Sequence, residues 1–80
     1  MAYKEHDTVV LLRDLPEQSL RAGDLGAVVF VTPESIDVEF LRASGQTQAL
    51  VMLREADVRP ADNRDLIAVR QADPPSAKRN

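Results

Sequence analysis

Eighty residues without a cysteine restrict the chain to one small domain held by a single apolar core, with no disulfide and no thiolate metal site. The formal net charge is −3 and is unevenly divided: residues 1–60 carry six Lys/Arg against ten Asp/Glu, residues 61–80 four against three. The acidic body opposes a phosphate-tracking surface, which needs Lys and Arg. No apolar run approaches the ~20 residues of a bilayer span, and MAYKEHD has no signal-peptide core, so the expectation is a cytoplasmic protein with no membrane partner.

The first element is DTVVLLRD (Asp7–Asp14), whose β-branched and apolar content predicts a strand. A ten-residue loop, LPEQSLRAGD, follows with Pro16 and Gly23. LGAVVFV is the second strand, and TPES a turn in which Pro33 supplies the fixed φ of a type I turn. IDVEFLR is the third strand and alternates most cleanly. ASGQ offers Gly45 for a positive φ, and TQALVMLR is the fourth strand. EADVRP predicts one helical turn stopped by Pro60, and DLIAVR (Asp65–Arg70) a fifth strand. From Gln71, QADPPSAKRN pairs prolines with polar residues and predicts a disordered tail over residues 71–80, leaving residues 1–70 as the domain. Short strands with turns and no amphipathic helix define an all-β fold. The lengths suit a small five-stranded SH3-like barrel with one short helical turn before the last strand. An OB-like barrel fits less well, because ASGQ leaves no room for a helix.

The two tight turns also fix a register. A four-residue TPES loop sets Val31 opposite Ile36, Phe30 opposite Asp37, Val29 opposite Val38 and Val28 opposite Glu39. The next hairpin, with Arg42 opposite Thr47, sets Phe40 against Ala49, Glu39 against Leu50, Val38 against Val51 and Asp37 against Met52. Both place Val29, Val31, Ile36, Val38, Phe40, Ala49, Val51 and Leu53 inside. The outer face then carries Val28, Phe30, Asp37, Glu39, Leu50 and Met52, two carboxylates between apolar columns. A one-residue slip would bury both acids at a cost of several kcal/mol per unpaired charge. Such an apolar face calls for a cover: the chain's own Leu66, Ile67 and Val69, a second copy, or a different protein.

HDTVVLLRDLPEQSLRAGDLGAVVFV, followed by VEF and LREADVRP, resembles the bacterial domain-of-unknown-function family DUF4926. The matching features are Asp7, DLPE at Asp14–Glu17, LRAGDLG at Leu20–Gly26, VEF at Val38–Phe40 and ADVRP at Ala56–Pro60, over most of residues 5–60. The resemblance implies a small SH3-type barrel and no established activity. Free-standing small members suit a partner-binding, antitoxin-like or regulatory role. AGDLGAVV also resembles the glycine-centred KOW element of ribosomal and transcription-factor barrels, which implies an alternative: a barrel binding RNA or a ribosome or transcription partner. The acidic body opposes that alternative, and glycines at a crowded barrel corner account for the motif without it.

No constellation carries chemistry. His6 stands alone beside Glu5 and Asp7, short of a metal-ligand set. Asp37 and Glu39 share a face, but paired carboxylates need a cleft to cleave a glycosidic bond. Ser19, Ser35, Ser44 and Thr47 lack a histidine base, and GDLG lacks the lysine of a phosphate loop. The expectation is a non-enzymatic protein-interaction module with no cofactor, metal or catalytic residue. Its interface would be Val28, Phe30, Asp37, Glu39, Leu50 and Met52, and its partner a protein or a homo-oligomeric copy.

Overall fold

The computed structural model describes residues 3–75. Five strands, β1 (Thr8–Leu11), β2 (Leu25–Val31), β3 (Ile36–Leu41), β4 (Thr47–Leu53) and β5 (Val58–Pro60), form one antiparallel sheet in the order β4-β3-β2-β1-β5. Two single 3-10 turns, Pro16–Gln18 and Glu55–Asp57, are the helical elements among the described residues. This is the expected all-β class, with a helical turn directly before the last strand.

The sheet curls for a reason legible in its connections. β4 and β5 are opposite edges, yet only Arg54–Asp57 joins them, mostly as a 3-10 turn. Such a turn advances ~2 Å per residue, too little for the ~19 Å between the outer strands of a flat five-stranded sheet. The curl gathers Val9, Leu11, Val28, Ile36, Val38, Phe40, Ala49, Leu53 and Val58 into one core. No β4–β5 ladder closes it among the described residues, so the barrel is open along that seam. At the other flank the Ala61 N–H donates to the Thr8 carbonyl at 3.1 Å, continuing the β1–β5 pairing just past Pro60.

The β1–β2 loop is anchored rather than free. Leu15 and Leu20 bridge each other and pack on the core, Leu20 fully buried, around the Pro16–Gln18 turn. Asp57 pins the turn before β5. Its carboxylate accepts the Arg13 Nε–H at 2.9 Å and the Arg54 backbone N–H at 2.9 Å, and its carbonyl accepts the Leu12 N–H at 2.8 Å. The Arg13 guanidinium, with the Arg54 N–H, holds this carboxyl below the usual carboxylate range against the opposing effect of burial.

Three expectations are corrected. Val28 is not on the outer face: a β-bulge between Val28 and Phe30 sets Val28, not Val29, opposite Val38, and Val28 is fully buried. The fifth strand is Val58–Pro60 paired with β1, and Asp65–Arg70 joins no strand. Leu66, Ile67 and Val69 cover nothing, being 88%, 85% and 85% exposed. The segment 61–75 instead runs without regular structure and is tied down at points. The Arg59 guanidinium donates to both oxygens of Asp65, at 2.9 and 2.7 Å. Arg70 donates to both oxygens of Asp24 and to the Ser19 carbonyl. Residues 71–75, assigned from sequence to the tail, lie against the barrel: the Ala72 carbonyl accepts from Arg42 and the Asp73 carbonyl from Gln48. Residues 76–80 of that tail lie outside the described residues.

Candidate functional site: the outer face of β2, β3 and β4

β3 is the central strand of the face and alternates throughout. Ile36, Val38 and Phe40 point into the core, and Asp37, Glu39 and Leu41 point away. β4 follows it in the expected register, Asp37 opposite Met52, Val38 opposite Val51, Glu39 opposite Leu50 and Phe40 opposite Ala49. β2 follows it only over its last two residues, with Phe30 opposite Asp37 and Val31 opposite Ile36. Phe30, Asp37 and Met52 therefore form one row across three strands. Adjacent strands lie ~4.8 Å apart, so Phe30 and Met52 flank Asp37 on the neighbouring strands. Two residues along β3, Glu39 stands between Ala27 and Leu50.

The face is uncovered. Phe30 is 53% exposed, Leu50 61% and Met52 72%. The bulge turns Val29 outward beside Phe30, and Leu41 extends the apolar rim on β3, both exposed. Sequence reading missed these two. Leu41 was within reach, as the next outward position after Asp37 and Glu39. Val29 was not, because four consecutive apolar residues do not reveal which one is extra. Of the two acids, Glu39 accepts a 2.6 Å hydrogen bond from the Thr47 hydroxyl. Asp37 has no hydrogen-bond or ion-pair partner among the described residues.

Other candidate chemistry is not assembled. His6 is exposed, and no group of three or more His, Asp and Glu is placed to hold a metal ion among the described residues. The depression bordered by Val31, Thr32, Pro33, Glu34, Arg54 and Glu55 is broad and open to solvent. In GDLG, Gly23 adopts a positive φ of 100° and Gly26 lies inside the barrel against Val38 and Phe40. Both glycines thus serve the corner between loop and strand.

A small, open SH3-like barrel with one greasy, acid-centred face is the class that fold and surface define. The chain belongs to the family described as Domain of unknown function (DUF4926), whose profile matches residues 5–60. That match spans β1 through β5 and ends at Pro60, so the clamped segment 61–75 lies beyond it. No curated protein and no solved structure matches the chain. No helix among the described residues is long and apolar enough to cross a membrane.

Proposed function

We propose that this protein is a non-catalytic protein-interaction module that binds through the outer face of β2, β3 and β4. The observation that carries the reading is the exposed Phe30–Asp37–Met52 row with Leu50 beside it. Contiguous apolar side chains left open to water on so small a domain mark a contact surface. Aromatic and Met side chains are enriched at the centres of such surfaces. Asp37 and Glu39 supply selectivity, favouring a partner that brings a cation to the centre of the face. Val28, buried beneath, supports the face without touching a partner.

The test places a photoreactive phenylalanine analogue at position 30 or 52, with position 4 as a control away from the face. Adducts to a protein, a second copy included, are expected from 30 and 52 and not from 4. An absence of adducts from the face positions, or equal yield at all three, refutes the reading. Phe30→Asp should stay folded, with an unchanged circular dichroism spectrum. A variant that unfolds would make Phe30 part of the core instead.

A further inference from the structure

The chain that leaves this face open also displays an apolar segment with no seat. Leu66, Ile67 and Val69 are among its most exposed large side chains, and no hydrogen bond holds residues 66–69 among the described residues. Yet the segment is fixed at both ends, by the Arg59–Asp65 pair on one side and the Arg70–Asp24 pair on the other. At this exposure the three side chains do not pack on the protein's own sheet face. A segment fixed at its ends loses less conformational entropy on docking than a free one. Resting on the interaction-face reading above, we infer that the occupant of the β2–β3–β4 face is the Asp65–Arg70 arm of a second copy of this chain, two copies exchanging arms about a two-fold axis.

Charge selects this occupant. Arg64, next to the apolar trio, has no side-chain hydrogen bond or ion pair among the described residues, and Asp37 in the middle of the face has none either. Docking the arm brings a cation to the unpaired acid while Leu66, Ile67 and Val69 meet Phe30, Leu50 and Met52. At larger scale, the arm belongs to the cationic last twenty residues and the face to the anionic first sixty. Stacking two faces directly would instead set the Asp37 and Glu39 stripes of both copies against each other, a like-charge contact that disfavours that dimer. Two-fold symmetry makes the arm contact reciprocal without further design: if one arm reaches the partner's face, the partner's arm reaches back.

Sedimentation equilibrium of the full chain over a range of concentrations, with three variants, decides the matter. The wild-type chain is expected to dimerise. Ile67→Asp on the arm and Phe30→Asp on the face each raise the dimer Kd by ~100-fold or more, because both symmetric contacts are lost. Mixed, the two variants recover a heterodimer, since one copy retains a sound face and the other a sound arm. Arg64→Glu weakens the dimer without altering the fold. A chain that stays monomeric at every concentration overturns the inference. So does a dimer that Phe30→Asp breaks and Ile67→Asp leaves intact, or a mixture that stays monomeric. In the first case photoadducts from position 30 to a different protein would leave the module standing with another partner. Absent adducts of any kind would remove both.

Discussion

A methyl group built on Gly26 would lie 2.5 Å from Val38 Cγ1 and 2.9 Å from Phe40 Cε2, both in the packed core. Gly26→Ala is therefore expected to lower the unfolding free energy by about 1–3 kcal/mol, the usual cost of overpacking, as measured by urea denaturation. Gly23 has open space around it but a φ of 100°, so Gly23→Ala should cost less and act through backbone strain alone. Asp57 sets the response to acid. Its folded carboxyl is held low, chiefly by Arg13, and Asp65 is lowered from 3.8 to about 2, chiefly by Arg59. At neutral pH both groups are ionised whether the chain is folded or not, and their full contribution is present. As pH falls below ~4, the unfolded chain takes up protons that the folded chain resists, and stability drains away. Urea midpoints should stay level from roughly pH 7 to 5 and drop between about 4 and 2. Asp57→Asn should lower the midpoint at neutral pH and flatten part of that drop; an unchanged acid limb would contradict the assigned role. The half-buried Arg59–Asp65 pair contributes over the same range.

Among the elements, the β3–β4 hairpin was readable almost residue for residue, because clean alternation on both strands admits one pairing that keeps the acids out of the core. It departs only at the turn, where a bulge sets Leu41 rather than Arg42 opposite Thr47. The β2–β3 pairing was legible up to Phe30 and then slipped by one. A bulge leaves no mark inside an unbroken apolar run, since Val28 and Val29 suit either side equally. β5 was hidden for a different reason. It has three residues, ends in Pro60 and follows a helical turn without a break, so EADVRP reads as a single element. A proline is tolerated there because β5 is an edge strand. DLIAVR carries a stronger strand pattern but has no neighbour to pair with. The contacts that tie down residues 70–75 were not legible, because they are polar contacts from Arg70, Gln48 and Arg42, which no hydrophobic pattern encodes. Arg70→Ala should thus free residues 66–70, while Arg42 and Gln48 still hold Ala72 and Asp73, and cost ~1 kcal/mol or less in global stability. Faster cleavage of that segment by a nonspecific protease such as subtilisin, with an unchanged melting temperature, is the expected signature. Equal cleavage rates in the two chains would show that the Asp24 contact does not hold it.

For the whole molecule, apolar residues are divided between two tasks. Eleven buried hydrophobic side chains make the core, while Phe30, Leu50 and Met52 on the sheet and Leu66, Ile67 and Val69 on the arm stay in water. A single inserted residue at the bulge makes that division within β2, handing Val28 to the core and Val29 and Phe30 to the surface. The family match ends at Pro60, so the barrel and its face fall within the family profile while the arm is outside it.

The meeting of Thr8 with Ala61 has a topological corollary. A short glycine linker from Ala61 back to Asp7 would splice the start of the barrel to its finish, and new termini could open at Ala43–Gly45. Such a circular permutant should keep the same far-ultraviolet spectrum and a cooperative melt, because chain order is incidental once β1 lies against β5. The barrel could then be grafted into an exposed loop of a host protein, entering and leaving at one point.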